Sequence, residues 1–236
     1  MQIQVDAVKK IHKFLSQHHF YPIVLSTFLA FFFFAGRIYW SQKVAYLHLL
    51  WNLFLAWLPY LFCLVTAAIH QVRPFWWWAK IVPAVLWVVF LPNAFYIVTD
   101  LIHLKNQAII PMWYDAGFIS IIAWTGLFLA VGSLNTMQKI VSSYAGKAAS
   151  WAFALIVIGS SGYGVYLGRF LRWNSWDLLE KPLAILSDSL SPIMNPLDHK
   201  DKIVFIAMYT ALYLVTYLAF SWLRPMDPAI EAEKEP

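Results

Sequence analysis

The sequence predicts an all-α integral membrane protein with six transmembrane helices. Hydrophobic residues make up 61% of the 236-residue chain and charged residues only 12%, about half of the ~25% found in soluble domains. Six runs contain no Asp, Glu, Lys or Arg: 20–36, 44–71, 81–99, 116–138, 148–168 and 203–223. Each run is close to the ~20 residues that a helix needs to cross the ~30 Å hydrocarbon layer. Lipid cannot pair with exposed backbone groups, so these runs must be helical.

Aromatic residues mark the ends of these runs. Side chains with an apolar body and a polar edge are favoured at the boundary between lipid and water. The clusters at the run ends are Tyr39–Trp40, Phe75–Trp78, Trp113–Tyr114, Trp173 with Trp176, and Trp222. We therefore expect one transmembrane domain over 20–223. A cytoplasmic segment over 1–19 would precede it, and a disordered polar tail over 224–236 would follow it.

The first two transmembrane helices are predicted over 20–36 and 44–69. The first follows three lysines within residues 9–13, and no small-residue cleavage site comes after it. We interpret it as a retained helix and not as a removed signal peptide. The second carries His48 and Asn52 one turn apart, so both lie on one face of that helix.

The third helix begins near Trp77 and reaches Leu91. Pro92 disfavours helical geometry at the residue before it, and two outcomes follow. Asn93 caps a separate short helix over Ala94–Leu104, or the third helix continues through a kink.

The fourth, fifth and sixth helices are predicted over 116–136, 148–171 and 203–223. Every fourth residue on one face of the fifth helix is small: Ser160, Gly164 and Gly168. Such a stripe lets a second helix approach closely. It predicts tight packing inside the chain, or contact with a second copy or a partner membrane protein.

The segment after the fifth helix is long and contains "NSWD". Asn174 or Ser175 is the expected cap of a short helix, with Asp177 in its first turn near the positive end of the helix dipole. We predict that this helix lies on the membrane surface. Short interfacial or re-entrant segments are thus expected after the third and the fifth helices.

The distribution of basic residues bears on orientation. With six helices, nine Lys and Arg residues lie on the side of both termini and eight on the other. The lysines before the first helix favour cytoplasmic termini. Whichever orientation holds, the loops after the first, third and fifth helices share one side.

A polar stripe follows the third helix. Asn93, Tyr96, Asp100 and His103 fall within about 80° of one another at 100° per residue. Lipid rejects such a stripe, so it faces the protein interior or a water-filled vestibule. Asp100 and His103 are one turn apart, and a carboxylate that orients an imidazole is the arrangement of a general base.

Four further charged residues lie on the same predicted side: Asp115, Arg169, Arg172 and Asp177. Two interpretations compete. In one, Arg169 or Arg172 pairs with Asp100, Asp115 or Asp177 and locks the helices together. In the other, these groups and the polar stripe bind the anionic headgroup of a substrate, since arginine presents a planar donor fork to phosphate or carboxylate.

The sequence predicts no metal site and no cofactor. It contains no HExxH motif, no CxxC motif and no Gly-rich phosphate loop, which are the compact signatures of such sites. The net charge of +5 is explained by loop lysines and arginines of a membrane protein. No nucleic-acid-binding motif accompanies it.

Three stretches, "FLPNAFYIVTDLIHL", "WYD" and "GVYLGRFLRWNSWDLL", resemble a family of bacterial multi-pass membrane proteins known only as a domain of unknown function. The similarity runs from the second to the sixth helix. It implies a location in the bacterial cytoplasmic membrane. It implies no activity, substrate or catalytic residue.

Three functional hypotheses follow. The first is a site at the membrane surface that binds, or chemically processes, an anionic lipid-like or lipid-linked envelope molecule. Asp100 and His103 would be its acid–base pair, with Arg169 and Arg172 holding the anion and Asp115 and Asp177 orienting them. The second is a non-enzymatic scaffold or partner subunit in which the same residues form a structural clamp. The third is a small transporter.

Overall fold

The computed structural model describes residues 2–104, 109–194 and 198–222, and these form helices without any β-strand. In chain order the helices are α1 (Gln2–Gln17), α2 (Phe20–Ser41), α3 (Leu47–Val72), α4 (Trp77–Tyr96), a 3₁₀ helix (Ile97–His103), α5 (Met112–Phe170), α6 (Asp177–Glu180), α7 (Pro182–Met194) and α8 (Lys200–Trp222). The all-helical prediction is confirmed. Five of the described helices, α2, α3, α4 with the 3₁₀ helix, α5 and α8, are long and apolar enough to cross a membrane. The predicted tail at 224–236 lies outside the described residues.

Helix α5 consists of two arms that meet at Gly146. This residue has φ 80° and ψ 175°, a conformation that glycine adopts without steric cost. The amide of Gln138 donates to the carbonyl of Ser150, 3.3 Å away, so the arms turn back on each other at this point. The first arm covers 112–145 and the second 147–170. They correspond to the predicted fourth and fifth helices. The first arm extends beyond its predicted bounds at both ends, and the second lies one residue earlier than predicted.

The core lies around the first arm of α5. Residues 129–137 are all buried, as expected for a helix that other helices surround. Helices α2, α3, α4 and α8 all contact α5. Gly126 allows α4 to approach closely, because a Cβ there would lie 2.5 Å from the carbonyl oxygen of Ala94.

Helix α4 takes the second of the two predicted courses. It continues through Pro92 to Tyr96 and then tightens into the 3₁₀ helix Ile97–His103. The small-residue stripe on α5 packs against this stretch within the same chain. A Cβ at Gly164 would lie 2.6 Å from Pro92 Cγ, and one at Gly168 would lie 3.3 Å from the Tyr96 ring.

Two local details differ from the sequence prediction. Residues 2–17, inside the segment expected to precede the transmembrane domain, form a helix for which the sequence analysis made no prediction. At "NSWD" the capping is reversed: Asp177 Oδ2 accepts hydrogen bonds from the backbone and the side-chain amide of Asn174. The residue before α6 is Trp176, which makes no side-chain cap. A charged carboxylate oxygen accepts stronger hydrogen bonds than a neutral hydroxyl or amide oxygen, which favours this arrangement.

Candidate functional site

A closed polar network joins α3, the 3₁₀ helix and the second arm of α5. The Asp100 side chain is 1% exposed. Its Oδ1 accepts from Arg169 Nη2 at 3.0 Å and its Oδ2 from Asn52 Nδ2 at 2.7 Å. Arg169 also donates through Nε and Nη2 to Thr99 Oγ1, at 3.0 and 2.6 Å. The buried carboxylate is therefore charge-paired and hydrogen-bonded, as a charge at this depth requires.

His103 lies at the edge of this network. Arg169 Nη1 contacts His103 Nε2 at 3.1 Å. Arginine can only donate, so Nε2 accepts this bond and carries no proton. The same nitrogen is 3.8 Å from Asp100 Oδ1, and the ring packs edge-on against His48 with centroids 5.0 Å apart. The lone pair that a general base would use is thus already bonded to Arg169.

Tyr96 separates this network from a neighbouring pocket. Its ring lies beneath the Arg169 guanidinium, with 4.7 Å between the guanidinium carbon and the ring centroid. The pocket has a volume of about 240 Å³. We call it the Asn93 pocket; α4, the second arm of α5 and the segment after α5 line it, with Pro92, Asn93, Tyr96, Ser160, Gly164, Gly168, Trp173, Asn174, Ser175 and Ile185 among the lining residues.

The walls of the Asn93 pocket are mainly apolar, with a small polar group at one point. Asn93 Nδ2 donates to Ser175 Oγ at 2.9 Å, and Ser175 Oγ donates to the carbonyl of Val89 at 3.1 Å. Nearby, Trp173 Nε1 donates to Asp188 Oδ2 at 3.0 Å. The bonds of Ser175 tie the segment after α5 to α4, and the bond of Trp173 ties it to α7.

Asp115 belongs to a different pair. Its carboxylate accepts from Arg37 Nε at 2.8 Å and from Nη2 at 3.2 Å, and both side chains are 1% exposed. This bidentate pair joins α2 to the first turn of α5 and contains neither Arg169 nor Arg172. The sequence analysis did not predict Arg37 as the partner of Asp115, although Arg37 is the first charged residue after the first apolar run.

Arg172 and Asp177 also lie apart from the network. Arg172 is exposed and has φ 59°, so it turns the chain at the end of α5, where Trp173 N–H donates to the carbonyl of Leu167. Asp177 holds Asn174 instead of orienting an arginine. The structure therefore joins Asp100, His103 and Arg169 in one network, and it places Asn93 and Tyr96 at the adjoining pocket.

Among the residues that the structure describes, no three His, Cys, Asp or Glu side chains lie together as metal ligands. The catalytic and substrate-binding roles assigned from the sequence stay predictions.

A comparison with protein families gives a match over most of the chain. The family model described as "Protein of unknown function (DUF1361)" matches residues 51–216. This range contains the three stretches on which the family resemblance was based, and the match confirms that resemblance. Neither the curated proteins nor the solved structures contain a match to this chain.

Proposed function

We propose that this chain, which belongs to the DUF1361 family of proteins of unknown function, is a six-span membrane protein that binds a lipid-like amphiphile in the Asn93 pocket. The observation that carries the proposal is the contrast between two neighbouring features. The Asp100–Arg169 network is closed, whereas the pocket on the other side of Tyr96 is open and mainly apolar.

The break in α5 supports a count of six spans. A straight helix of 59 residues would be about 88 Å long, almost three times the hydrocarbon thickness. The turn at Gly146 divides it into two arms, each long enough to cross once. With α2, α3, α4 and α8 the chain then crosses six times. Both termini lie on one side, which we propose is the cytoplasmic side of a bacterial membrane.

The chemistry of the pocket favours an amphiphile over a soluble molecule. Its apolar walls suit an acyl or prenyl chain, and the amide of Asn93 with the hydroxyl of Ser175 offers one polar contact. Arg172 is exposed beside Trp173, which lines the pocket. A phosphate or carboxylate headgroup at this position would contact the Arg172 guanidinium, which forms no ion pair with a carboxylate among the described residues.

Binding is better supported than chemical processing. Both oxygens of Asp100 accept hydrogen bonds, and His103 Nε2 is bonded to Arg169. An acid–base pair must reach a substrate proton directly or through one water. We infer that the network holds α3, the 3₁₀ helix and α5 together and so keeps the Tyr96 wall of the pocket in place.

A second candidate function is a membrane scaffold or partner subunit. Arg169 supports it, because the guanidinium is fully engaged inside the chain by Thr99, Asp100, His103 and the Tyr96 ring. That is the arrangement of a structural clamp. Within the small-residue stripe, Gly164 and Gly168 already pack against Pro92 and Tyr96, so in this candidate a second copy or a partner would contact the exposed Ser160.

One pair of variants distinguishes the candidates. Ser160 and Thr216 each donate only to a carbonyl of their own helix, at 3.0 and 2.8 Å, and only Ser160 lines the pocket. Ser160→Leu should fill the pocket and remove most of the co-purifying amphiphile, measured by mass spectrometry of lipid extracts. Thr216→Leu is the matched control and should retain it. Equal retention by both variants would refute binding in this pocket and favour the scaffold.

A further inference from the structure

At the opposite end of α4 the structure buries a cation without a counter-charge. The Lys80 side chain is 5% exposed. Its Nζ donates to the carbonyl of Pro74 at 2.7 Å, to the hydroxyl of Tyr144, and to His70 Nδ1 at 3.3 Å. No carboxylate of the described residues forms an ion pair with it. Its three acceptors are neutral, so its positive charge is hydrogen-bonded but not balanced, which is costly in a membrane protein.

A pocket of about 220 Å³ opens beside Lys80. We call it the Lys80 pocket; Thr66, Trp77, Ala84, Trp87, Tyr144 and Phe153 line it together with Lys80. Apart from Lys80, Thr66 and the polar edges of the aromatic rings, these side chains are apolar. Such walls exclude a free phosphate ion, which would lose its hydration without replacement, and they suit a hydrocarbon chain.

A second, independent feature of this pocket calls for a ligand. The Trp87 side chain is fully buried, and its Nε1–H has no hydrogen-bond partner among the described residues. The indole stacks on Phe153 with centroids 5.9 Å apart, which holds it at the pocket wall. Buried tryptophan N–H groups usually find an acceptor. An oxygen inside the pocket would provide one.

The spacing of the two groups indicates the shape of the ligand. Lys80 and Trp87 are seven residues apart on α4, which places the donor about 10 Å deeper than the cation along the helix. Trp77 and Tyr144 at the outer rim are exposed, as aromatic residues at headgroup level are. The pocket therefore presents a buried cation near its outer rim and a single hydrogen-bond donor deeper in its apolar interior.

We propose that the Lys80 pocket binds a phospholipid with a net negative headgroup, whose phosphate lies at Lys80 and one of whose ester oxygens accepts from Trp87. The lipid comes from the leaflet opposite to the Asn93 pocket, since Lys80 and Asn93 are thirteen residues, or about 20 Å, apart along α4. Val88 lines both pockets. The hydrocarbon ends of the two amphiphiles, one from each leaflet, approach each other there.

The test measures how many lipids the purified full-length protein retains from nanodiscs of phosphatidylcholine with or without phosphatidylglycerol, read by native mass spectrometry. The wild type should retain phosphatidylglycerol in preference to phosphatidylcholine. Lys80→Gln should weaken that retention about tenfold, because it removes the positive charge beside the phosphate. Lys147→Gln removes one exposed cation from the same membrane side, outside the pocket, and should match the wild type.

Two further variants keep the proposal testable if Lys80→Gln does not fold. Trp87→Phe keeps the ring and removes the N–H, and Ala84→Leu fills the pocket without deleting a polar group. Each should lower phosphatidylglycerol retention, and soluble glycerol phosphate should not compete. Ala84→Leu should do so at unchanged thermal stability, and Trp87→Phe with the loss of stability that a smaller ring in the core brings. Equal retention of the two lipids by the wild type would overturn the proposal, as would full retention by Trp87→Phe and Ala84→Leu. Competition by glycerol phosphate would also overturn it.

Discussion

Replacing Arg169 with methionine should destabilise the protein far more than the same change three residues later. Methionine keeps most of the aliphatic stem, so the variant mainly removes the guanidinium. That guanidinium is the cationic partner of Asp100, whose side chain is 1% exposed. In Arg169→Met the carboxylate keeps only the bond from Asn52. It becomes a buried charge without a counter-ion.

The expected cost follows from this geometry. Stranding a buried charge costs about 3–5 kcal/mol, which corresponds to a fall of roughly 6–20 °C in Tm for a chain of this size. Asp100→Asn should cost less, about 1–3 kcal/mol, because Arg169 is 14% exposed and retains Thr99 and His103 as partners. The double variant should be more stable than the two single effects predict, by about 0.5–3 kcal/mol.

The assay is thermal unfolding of the purified variants in one mild detergent. Arg172→Met is the matched control, since Arg172 is exposed and substitutions at such positions usually change stability by about 0.5 kcal/mol or less. Equal Tm values for Arg169→Met and Arg172→Met would refute the stabilising role assigned to Arg169. It is also refuted if the effects of Asp100→Asn and Arg169→Met are additive.

Three further predictions concern the backbone and the topology. Gly126→Ala should lower Tm clearly, because its Cβ would lie 2.5 Å from a carbonyl oxygen of α4. The control Gly159→Ala, whose Cβ meets nothing within 4 Å, should leave Tm equal or higher. An unchanged Tm for Gly126→Ala would show that α4 and α5 pack less closely than described. Arg172→Gly should raise Tm, because a positive φ of 59° costs a non-glycine residue about 1 kcal/mol. The same variant should retain less of the anionic amphiphile. Unchanged retention would show that Arg172 is not part of the proposed site. Reporter fusions after Gln17 and after Pro225 should report the same compartment, and fusions in the segments that follow the 3₁₀ helix and α5 the opposite one; any other pattern contradicts six spans.

The helices could be predicted from the sequence, because each depends on a continuous charge-free run of residues. Charge-free runs of membrane-spanning length must be helical in lipid, and the five described helices long and apolar enough to cross a membrane all contain such runs. Arg169 with Asp100 was one of the ion pairs that the sequence allowed. The ends of the helices were less predictable. The first arm of α5 ends at residue 145 and the second begins at residue 147, because the break depends on the positive φ of Gly146.

The tertiary structure decided which charges meet. Arg37 and Asp115 are 78 residues apart, and periodicity along one helix cannot tell which face of another helix will lie against it. The polar stripe was also divided by geometry: the 3₁₀ helix that begins at Ile97 turns by about 120° per residue where an α-helix turns by about 100°. Asp100 and His103 therefore face Arg169, while Asn93 on α4 faces Ser175. Composition determined that these polar groups must be paired inside a membrane, and only helix packing determined their partners.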